Sequence, residues 1–580
     1  MIREPWYIRN IPNRPASDRQ YLTSIETASL KNQFDFTVYI DGFVVPRLDC
    51  HESLKHLDQN DLVRTLYLKY GQDFIVYLKG IFCIVIITPS GFQVYTDRHS
   101  VNNFLVYQNG EQFMVSNSLD LISKSFELEP DLENAAIFTL LSHFVDGTTQ
   151  FKNLRASTAA ETLRYNGKSL ESSNYWLPTD LLNPERPVTD EPYEHYASVW
   201  KDLAGQYLAY LVPKQVSLTI TAGNDSRMVL SALLALGVKP HTFTFGNPQS
   251  YEAIISAQVA QAAELEHMIY FVDDPKSEWM LRRSKDIIEM GNSLISIQRA
   301  HRYDAYETEH LTQPDSSMIF TGLMGGEYIK KPMANSAALN PLLYYLAKNP
   351  DADELKGFLT QSLENKGFKA AKANIAEVAR RLKSFVAHAQ GLNQLEQGFI
   401  FLYLFYGCSH HTQESRILDS FFANPVNLFM DVDFLEMLAG SRKWYLNNPK
   451  AYNWLTHSEF LVAITHNLAP QLSAIPYGKR GQYTADDLLN HRFGYALKRL
   501  RYLFKKERNQ YPPGFKWGGW MSDFAREQLG SLESVLQPIF DTEYLSGKVA
   551  ILHNQAGEYQ WQVLTNPINL GLNYTRYGKI

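Results

Sequence analysis

Residues 216–235 read VSLTITAGNDSRMVLSALLA, and their periodicity changes in the middle. Val216, Leu218 and Ile220 alternate as a strand does; the small residues of 221–226 make a turn; an alanine- and leucine-rich helical pattern follows at once. A strand, tight loop and helix in this order leave the first backbone N–H groups of the helix unpaired and aimed at one spot, where the helix dipole also favours negative charge. The loop Thr221, Ala222, Gly223, Asn224, Asp225 and Ser226 is therefore a candidate phosphate cradle. Gly223 permits close approach of backbone to ligand, Thr221 and Ser226 offer hydroxyl donors, and Asp225 offers a magnesium ligand. Arg227 adds a cation, or else serves in a surface salt bridge. The Walker A spacing is absent. A plain strand-to-helix turn capped by Asp or Ser for local reasons is the alternative reading of the same residues.

Working outward, 580 residues are too many for one core and predict two or more domains. Apolar content of 45% with 20% charged residues is that of a folded chain without long disordered segments. A formal charge of −6 argues against a dedicated nucleic-acid binder. The cysteines Cys50, Cys83 and Cys408 are too far apart for a disulfide framework or a zinc motif, which fits a reducing cytoplasm. The start MIREPWYIRN has no apolar core of an export signal. The most apolar runs, 81–87 and 399–406, fall short of the roughly 18 residues a membrane span needs.

Toward the N-terminus, 34–45 alternates as a strand, breaks at Asp41-Gly42 and resumes, predicting a hairpin. A helix is expected over 62–70, and strands over 80–87, 92–97, 104–108 and 111–116, with a turn at 108–110. These make a layered α/β sandwich rich in antiparallel strands. The Pro-, Asp- and Glu-rich run 178–192 marks a domain boundary. Beyond it come a helix over 196–210, the loop described above, a strand at 241–246, a helix through 253–265, and strands at 267–272 and 317–321. That alternation predicts a parallel, doubly wound sheet whose ligands bind at the carboxyl ends of its strands, beside Phe245 and Gly246. His410, His411 and Glu414, near Arg416, read as a polar wall of a cleft, because adjacent histidines cannot share one helix face as a metal pair. The basic run 491–508 reads as a solvated helix face, and 509–580 is rich in aromatics.

Taken together, these stretches resemble the asparagine synthetase-like family. Residues 221–226 resemble its SGGxDS pyrophosphate loop, with Thr for Ser and Ala for the first Gly. KYGQDFIVYLKGIFCIVI, TDRHSVNNFLVY, FMVSNSLDLI and NYWLP resemble, in order, signatures of its N-terminal glutaminase domain. The resemblance implies an Ntn-type αββα domain over 1–180, an ATP pyrophosphatase-type ligase domain over 190–490, and an extension over 491–580 packed on the latter. It implies ATP and magnesium as cofactors, with Phe245 and Gly246 lining the nucleotide. Gly322-Leu323-Met324-Gly325-Gly326-Glu327 stands where the family has a second pyrophosphate loop. There the family's second metal carboxylate falls on Gly326 and its acidic or tyrosyl residue on Leu323. Glu327 is then the candidate second metal ligand beside Asp225, although a helix start also favours Glu locally. The run 475–481 stands where the family places a catalytic lysine, so Lys479 is the candidate and Arg480 its rival.

One departure bears on the chemistry. Glutamine-hydrolysing relatives use an N-terminal cysteine, whereas Met1 is followed here by Ile2 and no cysteine precedes Cys50. The expected activity is thus an ATP-dependent amide ligase that adenylates a small-molecule, peptide or saccharide carboxylate and takes ammonia or an amine, without hydrolysing glutamine itself. The nitrogen source could be a partner protein. A degenerate nucleotide-binding scaffold and an RNA-modifying adenylating enzyme are the alternatives, the last disfavoured by the acidic charge.

Overall fold

In the computed structural model, the described residues are 4–10, 21–23, 36–273, 275–330, 341–450, 455–477, 483–504, 512, 515, 517–554 and 558–578. Among the described residues, the first half holds ten strands: β1 (Tyr7–Asn10), β2 (Tyr21–Thr23), β3 (Thr37–Pro46), β4 (Leu78–Thr88), β5 (Gly91–Thr96), β6 (Leu105–Asn109), β7 (Gln112–Ser116), β8 (Leu154–Ala156), β9 (Glu161–Tyr165) and β10 (Leu170–Asn174). They form two antiparallel sheets, ordered β2-β1-β7-β6-β8 and β10-β9-β5-β4-β3.

Strand β4 shows why these sheets stack. Its residues Cys83, Val85 and Ile87 pack with Val106, Val115 and Leu163 between the sheets. The alternate residues Phe82, Ile84 and Ile86 pack beneath the helix Gln59–Tyr70 with Leu62 and Leu66. A strand covered on both faces reads as an unbroken apolar run, as this one does. On the far side, Leu105, Tyr107 and Met114 pack with residues of the helices Leu119–Ser125 and Leu132–Leu141. The layers are therefore helix, sheet, sheet, helix.

The hairpin expected at Asp41-Gly42 is absent. Strand β3 runs straight through, its register with β4 passing from Asp41↔Cys83 to Gly42↔Phe82. Gly42 does take a positive φ of 101°, but it serves close approach of strands: a Cβ there would lie 2.2 Å from the Ile81 carbonyl oxygen. The chain kinks without turning.

The second half is built on a parallel sheet, β13-β12-β11-β14-β15, comprising β11 (Gln215–Thr219), β12 (His241–Phe245), β13 (His267–Tyr270), β14 (Ser316–Phe320) and β15 (Asn424–Val426). Chain order reverses at β11, which makes its carboxyl end the switch point where doubly wound sheets take ligands. The chain is thus mixed α/β, with antiparallel sheets first and a parallel sheet after.

Ion pairs tie the halves together. Lys79, on β4, reaches Asp431 at 3.0 Å and Asp433 at 2.8 Å, with all three side chains buried. Arg47 adds contacts of 2.8 Å to Asp433 and 2.5 Å to Glu436. Burial opposes ionisation of Asp433, but Lys79 and Arg47 outweigh it and hold its carboxyl down at about 2. Arg416 donates to the carbonyls of Ser100 and Val101 at 2.9 and 3.0 Å.

The extension over 491–580 was expected to pack on the segment 190–490, and the last of its helices, Gln562–Tyr577, touches the first half as well. Asn566 donates to Ser142 at 3.0 Å, Tyr574 meets the Phe151 ring edge-on, and Asn569 accepts from Ile297 N at 3.1 Å. The basic helix Arg492–Phe504 docks through Tyr495, 1% exposed, while Phe493 is 80% exposed. Among the described residues, no helix is long and apolar enough to cross a membrane.

Candidate functional site

The loop after β11 is shaped by its own hydroxyls. Thr221 N donates to Ser226 Oγ at 3.0 Å, and Gly223 N donates to Thr221 Oγ1 at 3.1 Å. Ala222 N donates to Glu252 at 2.9 Å. The helix Asn224–Ala235 then starts at Gly223, with no side chain capping it. Its first turn is left open for an external acceptor.

Arg227 is neither a ligand-facing cation nor a surface salt bridge. It is fully buried, and its guanidinium donates to the carbonyls of Ala222 at 3.2 Å, Ile475 at 2.9 Å and Pro476 at 2.6 Å. The Tyr477 ring lies 4.1 Å beneath it. Arg227 thus ties the back of the loop to the segment leading toward Lys479. Lys479 and Arg480 themselves lie outside the described residues.

A second loop closes on the first. After β14 the chain passes Gly322, turns at Met324 with φ of 66°, and enters the short helix Gly325–Ile329. A Cβ on Gly322 would stand 2.6 Å from Ser226 N, and one on Gly325 would stand 2.9 Å from Asp225 Cβ. Only glycine lets the two backbones meet this closely. Glu327 lies close enough to Asp225 to feel its charge. Asp225 Oδ1 is buried without a hydrogen bond, and Lys330 Nζ lies 3.6 Å from it. Burial and the neighbouring Asp225 charge raise the Glu327 carboxyl, against a smaller pull from Lys330. His411 Nε2 stands 4.0 Å from Glu327 Oε1, and burial holds this imidazole down at about 4.

Phe245 and Gly246 end β12 on the same edge of the sheet. Phe245 meets the rings of His301 and Tyr306 at 5.9 and 6.1 Å, while Gly246, at φ of 114°, donates its N–H to the Tyr270 carbonyl at 2.8 Å. His410, His411 and Glu414 lie in polar surroundings. Residues Leu402–His411 wind as a π-helix, a form often found at functional sites. His411 turns toward Glu327, and His410 lies 3.0 Å from Arg299. Glu414 pairs with Arg302 at 3.1 Å and accepts from the Tyr306 hydroxyl. Lys330, Glu252, Arg299 and Arg302 were not singled out in the sequence. The one local signal was for Lys330, which falls four residues after Gly326 and so on the same helical face.

Among the described residues, no group of three or more His, Cys, Asp or Glu could hold a metal. An all-protein cage is therefore not built here. Asp225, with its unbonded buried oxygen, and Glu327 are two oxygen donors that could hold one hard cation between them. A second ion does not fit: Gly326 supplies no donor, and the Lys330 ammonium stands 3.3 Å from where its Cβ would be.

The cysteines offer no nucleophile. Cys83 points between the sheets; burial and Asp49 push the Cys50 thiol up to about 11; burial raises the Cys408 thiol well above its ordinary value.

No family model matches the chain, and no curated protein does. Among solved structures, one described as the allosteric regulatory enzyme of purine biosynthesis is similar at 12% identity, over 42% of this chain and 61% of that one, with a TM-score of 0.18. Glutamine phosphoribosylpyrophosphate amidotransferase from B. subtilis, complexed with ADP and GMP, is similar at 11% identity, over 47% of this chain and 85% of that one, with a TM-score of 0.19. The chain thus spans less than two thirds of the first of these, and at such overlap the likeness carries no conclusion about what this chain does.

Proposed function

We propose that the protein is an ATP-dependent ligase that activates a carboxylate as its adenylate and passes the acyl group to ammonia or an amine. The observation that carries this reading is the meeting of an uncapped helix start, Asp225 and Gly322 at the switch point of the parallel sheet. A carboxylate oxygen attacks the α-phosphorus of ATP, and the bond to the bridging oxygen breaks, so that pyrophosphate leaves with the electron pair. The N–H groups at the start of the helix hold the leaving pyrophosphate on the 221–226 loop. Asp225, with Glu327 beside it, would hold a magnesium ion, which would supply charge neutralisation for the phosphate oxygens. Phe245 and Gly246 line the nucleotide, and Lys479, with Arg480 as the rival, neutralises the pentacoordinate phosphate, as the family resemblance implies. The amine nitrogen then attacks the acyl carbon, AMP leaves, and a proton is shed.

Nitrogen comes as ammonia, as an amine or from a partner protein, because none of the three thiols is poised as a thiolate. The absence of a donor at Gly326 favours a second reading, a nucleotide-binding scaffold that no longer adenylates. Release of pyrophosphate and AMP from ATP and magnesium, with and without ammonium and over a panel of carboxylates, separates the two. Release that needs one carboxylate and is lost in Asp225→Ala is the expected result. Binding of ATP with no release for any carboxylate would favour the scaffold, and no ATP binding would end both readings.

A further inference from the structure

We propose that Lys330 is a pyrophosphate-binding cation that replaces a second divalent ion, so that this site works with one magnesium ion; the inference rests on the nucleotide reading above. Gly326 and Lys330 lie four residues apart, across the helix Gly325–Ile329 and the residue that ends it. The lysine side chain runs back along that turn. Its Nζ comes to 3.6 Å from Asp225 Oδ1 and 3.3 Å from the position of a Cβ on Gly326. That same Cβ position is 3.3 Å from Asp225 Oδ2. A carboxylate at 326 would therefore crowd both Asp225 and the ammonium, and the glycine is what leaves room for the lysine.

Charge counting agrees with the geometry. Asp225 and Lys330 form a neutral pair, and an ionised Glu327 beside them leaves one net negative charge before the polyphosphate arrives. A second carboxylate in the place of the lysine would instead make the pair doubly negative and demand another divalent ion. An ammonium is a compact, strongly hydrated charge on a flexible stem, well suited to a phosphate oxygen. Lys330 keeps 27% of its side chain exposed, so its ammonium can turn from Asp225 to an incoming pyrophosphate.

The test uses the full chain with inorganic pyrophosphate and Mn2+ as probes. Paramagnetic resonance is expected to count one Mn2+ per chain in the pyrophosphate complex, and two in the double variant Gly326→Asp/Lys330→Ala. Lys330→Ala alone should weaken pyrophosphate about tenfold to a hundredfold, with Lys330→Arg recovering part of the loss. Lys330→Gln, which keeps the length of the chain, serves if the alanine variant does not fold. Two Mn2+ in the wild-type complex, or unchanged affinity in Lys330→Ala and Lys330→Gln, would overturn the role of Lys330 and leave the ligase reading standing. No pyrophosphate binding by the wild type at any Mn2+ concentration would overturn both.

Discussion

The carboxyl of Glu327 is raised by burial and by Asp225, so the folded protein holds its proton more tightly than the unfolded chain does. A group of this kind contributes stability that is full below the ordinary carboxylate range and is lost as pH rises through the raised value. Above that raised value the ionised side chain is thus a local cost that a bound cation would relieve. Glu327→Gln should raise stability near neutral pH by on the order of 1 kcal/mol while lowering pyrophosphate release. Thermal melts across pH check this, since the gain should vanish where Glu327 is protonated in both states. At this scale the sequence was informative about side chains that act locally and silent about those that act at a distance. Thr221, Asp225 and Ser226 could be read because a strand, turn and helix dictate where their groups lie. Arg227 could not, because its carbonyl partners at Ile475 and Pro476 lie some 250 positions away, beyond any local pattern.

Among the elements, the two glycine-bearing loops set the spacing of the site. Gly322→Ala would place a methyl 2.6 Å from Ser226 N, so the loops must part. The expected outcome is a chain that still folds, with pyrophosphate affinity down by about tenfold or more, read by titration beside a thermal melt. Strand and helix identities were legible where the period was clean: β4, β6, β7 and the helix Gln59–Tyr70 lie close to where alternation and helical spacing put them. The failure at Gly42 is instructive. Asp-Gly between alternating residues is a strong hairpin signal, but Gly42 pairs with Phe82, and Gly80, opposite Val44 two residues on and at φ of 123°, also lets the strands pass close and stay paired. Whether such a glycine turns or merely kinks its strand depends on a partner the local window does not contain. The π-wound turn carrying His410 and His411 was equally hidden, because its spacing departs from the 3.6-residue period on which helix reading relies.

For the whole molecule, the succession of antiparallel and then parallel strands was legible in the periodicity, while the seam between the halves was not, since it is assembled from Arg47, Lys79, Arg416 and Asp433 across more than 300 residues of chain. Buried imidazoles make this structure sensitive to acid. Burial holds His99 and His143 down at about 3 and His411 at about 4, and it also lowers His410. Their folded values lie below the unfolded ones, so the stability they contribute is present above about pH 6.5 and is lost as pH falls toward those values. Each should add a slope of about 1.4 kcal/mol per pH unit. Denaturant unfolding at neutral pH and near pH 5 should show a loss of several kcal/mol, and equal midpoints would contradict the burial of these rings. His99 bonds Tyr328 at 3.2 Å across the seam, so the halves should loosen early in that transition.

The closing helix Gln562–Tyr577 has a consequence in time. Asn566 completes the bond to Ser142 from 424 residues farther along the chain. On the ribosome, the helix Leu132–Leu141 emerges long before the helix that covers it, with buried side chains from Asn134 through Leu141 still facing water. The first domain can form its sheets early, but its outer layer stays unsealed until the last described segment has been made. Sealing of that layer therefore waits on a segment made 424 residues later, and the interval before it is when a chaperone has most to hold.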